Sequence, residues 1–154
     1  MEVPEVEGGN LSFHFEQAGC EIIHVTDALT FMEAMANGVD YSETSPFDIV
    51  FIDGDKTRFL DYVEVCLSSE KILKRGGLMV IDNVLWKGLV LDAASGDWSG
   101  TRDENLSEPE LKKSRRSRKL AKTIHNFNNA IVQDERVEVV MLPMRDGLSI
   151  IRKK

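Results

Sequence analysis

Phe47–Asp53 reads FDIVFID and Leu78–Val84 reads LMVIDNV. Each is a largely apolar run leading to an acid, the pattern of parallel strands covered on both faces rather than the alternation of a half-exposed antiparallel strand. Between them, the stretch from Arg58 to Lys74 carries Phe59, Tyr62, Val63, Cys66, Leu67 and Leu73 as apolar positions of a helix. Gly76–Gly77 is then expected to turn the chain into the second strand. The product is a strand, helix, strand unit of about 30 residues, the size of a right-handed parallel crossover. This unit points to an open α/β sheet.

Working outward toward the start, residues 1–10 carry Pro4, Gly8, Gly9 and several acids without periodicity and read as a flexible segment. A short helix over residues 11–19 and a buried strand at Glu21–Val25 (EIIHV) are expected next. After Thr26 or Asp27 as N-cap, ALTFMEAM continues as a helix closed by Asn37–Gly38, with Leu29, Met32, Met35 and Ala36 on its inner face. Toward the end, residues 85–107 read as a lid or binding loop, because connections beyond roughly 15 residues are uncommon. Glu108–Val132 follows as an amphipathic helix capped by Ser107, with Pro109 in its first turn and Leu111, Leu120, Ile124, Phe127 and Ile131 on its apolar face. The strands Val137–Leu142 and Leu148–Ile151, joined by PMRDG, can only be antiparallel. The expected fold is therefore α/β, mostly parallel, with a C-terminal antiparallel hairpin.

A chain of 154 residues suffices for one domain, 42% hydrophobic and 29% charged, with no apolar stretch near the roughly 18 residues of a membrane helix. The N-terminus is acidic where a secretory signal would be basic and then apolar, so a cytoplasmic location is expected. Cys20 and Cys66 lie among apolar neighbours and read as buried free thiols. His14, His24 and His125 lack zinc spacing. The net charge of −7 opposes nucleic-acid binding, although KKSRRSRK at Lys112–Lys119 is either a solvated helix face or a contact for a phosphate, an acidic partner or a nuclear-import receptor.

Ligands of open α/β sheets sit beyond the carboxyl ends of the parallel strands. Asp53 and Asp82–Asn83 occupy that edge, and neighbouring strands about 4.8 Å apart would let them converge on one cation. Two carboxylates and an amide carbonyl suit Mg²⁺ and also accept Mn²⁺ or Ca²⁺; the same residues could equally serve as helix caps and turn formers. Lys56, beside Asp55, would accept a proton more readily next to a divalent cation, or could simply be a solvated partner of Asp55.

FDIVFIDGDK (residues 47–56), LKRGGLMVIDNVLWKG (73–88) and FNNAIVQDERVEVVMLPMRDGLSIIRK (127–153) together resemble the caffeoyl-CoA O-methyltransferase family, whose wider group includes animal catechol O-methyltransferase. The likeness spans roughly Gln17–Lys154, which delimits a partial methyltransferase domain at 17–154 after a flexible or divergent segment at 1–16. It implies a Rossmann-like sheet and S-adenosylmethionine as methyl donor. It also implies Mg²⁺ held at Asp53, Asp82 and Asn83, and a catechol or phenylpropanoid-like substrate whose deprotonation Lys56 assists. By the same likeness Asp27, Ala28 and Asp55 border the cofactor, and Trp86 and Lys87 belong to the substrate loop. Lys87 stands where plant members often carry asparagine, which departs from plant-type acyl-CoA specificity.

The family's glycine-rich strand and the acid that holds the ribose have no counterpart in the sequence; Gly8–Gly9 adjoins no apolar strand. A sheet truncated at its N-terminal side would leave a gap beside Phe47–Asp53, inviting a homodimer or a completing chain. Three readings follow: a fragment or alternative product of an active enzyme with weak or no activity of its own, a non-catalytic interaction or regulatory module, and a domain completed by another chain.

Overall fold

In the computed structural model, residues 27–39, 45–98 and 106–154 are described. The expected helix at 11–19, the strand Glu21–Val25, the flexible N-terminal segment, Cys20, His14 and His24 lie outside them. Helix α1 (Ala28–Ala36) begins at Asp27, whose carboxylate accepts the Leu29 N–H at 3.0 Å. Strand β1 (Phe47–Ile52) leads through a 3-10 turn at Lys56–Arg58 into helix α2 (Phe59–Ser68), and strand β2 spans Leu73–Asp82. A second 3-10 turn at Trp86–Gly88 precedes helix α3 (Leu89–Ser95), followed by helix α4 (Glu108–Val132) and strands β3 (Val137–Leu142) and β4 (Leu148–Lys153).

The described sheet has the order β1-β2-β4-β3. β1 and β2 are parallel, whereas β4 is antiparallel to both β2 and β3. The crossover and the terminal hairpin stand as the sequence implied, within an α/β, Rossmann-like sheet. Phe59, Val63 and Cys66 of α2 and Ala121, Ile124, Phe127 and Ile131 of α4 are buried in one core with Met79, Ile81 and Ile151. Phe59 meets Phe127 edge-on with centroids 5.3 Å apart, an aromatic pairing that adds specific geometry to the burial. α4 starts as expected at Ser107, whose N–H is met by the Glu110 carboxylate at 2.8 Å. Cys66 is a buried free thiol, its pKa pushed up to about 12 by burial. Among the described residues no helix is long and apolar enough to cross a membrane.

Four expectations need correction. The helix expected to reach Lys74 stops at Ser68, and β2 already begins at Leu73. The cause is distant in sequence: the ammonium of buried Lys153 donates to the carbonyls of Cys66 (2.8 Å), Ser69 (3.1 Å) and Leu73 (2.9 Å), satisfying the backbone where α2 ends. Burial holds the Lys153 pKa below its ordinary value.

Second, Gly76–Gly77 lies inside β2 rather than before it. The pairing jumps from Phe47↔Leu73 to Ile49↔Leu78, so β2 bulges there; Gly76 takes φ +78°, and a Cβ on Gly77 would stand 2.6 Å from Leu73 Cδ1. Third, the stretch expected as one long loop contains the turn at Trp86–Gly88 and α3, a helix too short to reveal a period. Fourth, β1 is not covered on both faces by described residues: Phe47, Ile49 and Phe51 are 46%, 58% and 62% exposed.

Candidate metal and acceptor site

The site forms where β1 and β2 end side by side. Ile52 pairs with Ile81, so Asp53 and Asp82 are the next residues along two hydrogen-bonded parallel strands. Beyond Asp53 the Asp55 carboxylate accepts the Thr57 N–H at 2.9 Å and the Thr57 hydroxyl at 2.8 Å, and these bonds hold its pKa below the usual carboxylate value. The turn thus capped brings Lys56 back over the strand end, where Nζ lies 3.2 Å from Asp53 Oδ1. Lys56 is paired with Asp53 rather than with Asp55. Its side chain is 16% exposed, against 53% for that of Asp53, so the lysine forms an inner wall and the carboxylate faces outward.

The other wall is the Asn83–Gly88 turn. Asp82 Oδ1 accepts the Asn83 N–H at 2.7 Å. Asn83, Trp86 and Lys87 have φ of 63°, 43° and 58°, and left-handed backbone at a bulky residue persists only where its surroundings impose it. The β3–β4 hairpin imposes it. Leu85 N–H donates to Asp146 O at 2.7 Å and Val84 N–H to Gly147 O at 3.2 Å, while Asn128 Nδ2 of α4 donates to Val84 O at 2.9 Å. Gly147, at φ +83°, permits this approach because a Cβ there would stand 2.5 Å from Leu85 Cγ. The Trp86 indole N–H donates to Ser117 Oγ at 2.9 Å, which fixes the ring, and Lys56 and Lys87 place their ammonium groups 5.9 and 5.4 Å from its centroid.

Asp53, Lys56, Asp82, Asn83, Trp86 and Lys87 thus stand together around one strand edge. Asp27 and Ala28 stand at the start of α1, joined to this edge through Arg58, whose Nη1 donates to the two Asp27 carboxylate oxygens at 3.2 and 3.1 Å. That guanidinium is the foremost cause of the lowered Asp27 pKa. Arg58, Ser117, Asn128 and Gly147 escaped the sequence reading. Asn128 alone carries a usable signal, as an amide beside Phe127 on the inner side of an apolar helix face. The other contacts depend on pairings between distant segments.

Among the described residues no three His, Cys, Asp or Glu side chains cluster as a metal site. The candidate set is two carboxylates and an amide, an all-oxygen group that fits a hard cation retaining part of its water shell.

The O-methyltransferase family model matches residues 13–154, and the chain belongs to that family. It is 35% identical over 115 residues to probable caffeoyl-CoA O-methyltransferase 1 of Dictyostelium discoideum, covering 75% of this chain and 40% of that protein. Tapetum-specific methyltransferase 1 of Arabidopsis thaliana is 27% identical, with 83% of this chain and 45% of the relative covered. Among solved structures, a putative caffeoyl-CoA O-methyltransferase from Staphylococcus aureus superposes with a TM-score of 0.65 at 25% identity, over 95% of this chain and 57% of that one. The SAH-bound Podospora anserina methyltransferase PaMTH1 gives a TM-score of 0.65 at 21% identity, over 93% and 54%, and shares the fold. The chain spans about half the length of the relatives it matches, or somewhat less.

Proposed function

We propose that this chain supplies the acceptor side of an S-adenosylmethionine-dependent O-methyltransferase for catechol-like vicinal hydroxyls, working in the cytoplasm. The observation that supports this reading is that Asp53, with Lys56 beside it, and Asp82, followed by Asn83, end two adjacent parallel strands of a chain in the O-methyltransferase family. Asp53, Asp82 and Asn83 would hold a divalent cation, Mg²⁺ or else Mn²⁺ or Ca²⁺. When bound, such an ion supplies Lewis acidity that makes a neighbouring phenol easier to deprotonate. Lys56, tethered to Asp53, is placed to exchange a proton with that hydroxyl. Trp86 and Lys87 flank the acceptor ring, and Asp27, Ala28 and Asp55 border the donor.

The chain as it stands is expected to be a weak catalyst. Holding a donor carbon in line at about 3–3.5 Å can lower a barrier by roughly 7–11 kcal/mol, and no glycine-rich turn that would do so is legible here. A second reading, a non-catalytic module that binds another chain or a second copy of itself, draws on the exposed apolar side chains of β1.

The test incubates the chain and its Asp53→Ala variant with labelled S-adenosylmethionine, catechol and Mg²⁺, and follows catechol binding in parallel. Expected are Mg²⁺-dependent catechol binding lost in the variant and only trace methylation. Robust Asp53-dependent turnover would show that residues 1–26 or a partner complete the donor site. Catechol binding that ignores both Mg²⁺ and Asp53 would overturn the acceptor assignment.

A further inference from the structure

Immediately beside the Trp86 turn lies an open groove of about 300 Å³ lined by Trp86, Lys87, Lys113, Arg116, Ser117 and Leu120. Three cationic side chains line it, and no carboxylate does. Lys113 and Arg116 belong to the basic run of α4, which reads in isolation either as a solvated helix face or as a contact for a phosphate, an acidic partner or a nuclear-import receptor. The fold brings one side of that run against the substrate turn: Ser117, between Arg116 and Leu120, is the residue that anchors the Trp86 indole at 2.9 Å. Trp86 also stands beside Lys56, the partner of Asp53, so a ligand lying along the indole could reach from the strand edge into the cationic groove.

The three cationic groups are exposed, so water screens their mutual repulsion, and what they offer an anion is a set of charge-assisted hydrogen-bond donors on one side of the groove. Arg116 offers the planar fork that matches a carboxylate, and Lys113 and Lys87 add point charges. The Trp86 and Leu120 side chains make the remaining wall apolar, suited to a ring or a short carbon chain. A volume of about 300 Å³ is at the small end for a ligand pocket, enough for a short acidic side arm and small for a nucleotide-bearing tail.

Building on the acceptor-site reading above, we propose that the preferred acceptor is a small aromatic acid. Its vicinal hydroxyls face Asp53 and Lys56, and its free carboxylate is received by Lys113 and Arg116. These two residues determine specificity and take no part in the reaction itself.

The test measures Mg²⁺-dependent binding, read by Trp fluorescence and by calorimetry, of catechol, of a catechol bearing a short carboxylate side chain, and of the coenzyme A thioester of that acid. The parent chain is compared with Lys113→Gln/Arg116→Gln, and circular dichroism establishes that the variant folds; the single variant Arg116→Lys keeps charge but not the fork. The acid is expected to bind about tenfold more tightly than catechol, a difference that shrinks to about twofold in the double variant and with 0.5 M salt. Arg116→Lys should retain part of it. Equal binding of acid and catechol by the parent would overturn the proposal while leaving the acceptor site intact. Thioester binding far tighter than that of the free acid, and sensitive to the same variants, would assign the groove to phosphates and overturn it too. Absence of binding by all three ligands would instead refute the underlying acceptor-site reading.

Discussion

β1 and β2 are neighbours in one sheet, both apolar runs ending in an acid, yet they are covered alike on one face only. On one face Ile52 of β1 and its partner Ile81 of β2 are both buried, whereas on the other Ile49 and Phe51 of β1 stand more than half exposed beside their half-buried partners Leu78 and Val80 of β2. The difference on that second face follows position: β2 has strands on both sides, whereas β1 has a strand partner on one side only among the described residues. An apolar run states what a strand can bury, and the neighbours decide what it does bury. The same asymmetry shapes the site, where exposed Asp53 comes from the open strand and Asp82 from the enclosed one.

Substitutions at the two places should expose this contrast. Phe59→Ala, under the covered side, is expected to cost about 3–5 kcal/mol in urea unfolding, whereas Phe51→Ala should cost less than about 1 kcal/mol. Equal losses would mean that β1 is covered in solution. Gly147→Ala is expected to cost about 1–3 kcal/mol from left-handed strain, and more if Leu85 cannot yield. Because Gly147 braces the Asn83 turn, the variant should also weaken Mg²⁺ binding; unchanged metal affinity would separate the hairpin from the site.

Lys153→Met removes the donor shared by three carbonyls and should destabilise the end of α2 by about 1–3 kcal/mol, with faster amide exchange around Ser69–Leu73. A neutral effect would show that water replaces the ammonium. The smallest effect concerns acid. Arg136 lies 2.8 Å from both Glu64 and Asp134 and holds both carboxyl pKa values below their ordinary range. Their folded values are depressed, so the contribution is present above about pH 4.5 and is lost as pH falls through the folded values. Arg136→Met should remove under about 1 kcal/mol at neutral pH, because Arg136 and Glu64 are largely exposed, and should flatten the acid limb of the stability curve. An unchanged acid limb would contradict this.

The crossover, α4 with its cap, the hairpin and the acids at the strand ends were legible because each rests on local pattern. Asp27 as a cap and Pro109 in a first turn belong to the same class. The stop of α2 was hidden because its cap, Lys153, comes from more than 80 residues away. The bulge at Gly76–Gly77 looked like a turn because glycine pairs serve both purposes, and only strand register separates them. Lys56 could be placed near the site, but its pairing with Asp53 instead of Asp55 depended on Asp55 being occupied by Thr57. The cationic groove was unreadable because a basic helix face gives no indication of which turn packs against it.

Calorimetric titration of the parent chain, Asp53→Ala and Asp82→Ala with Mg²⁺ or Mn²⁺ examines the shared strand-end site most directly. The account predicts one specific site in the parent and its loss in both variants, since one carboxylate and an amide make a poor cage for a hard cation. Equal metal affinity in all three proteins would contradict it.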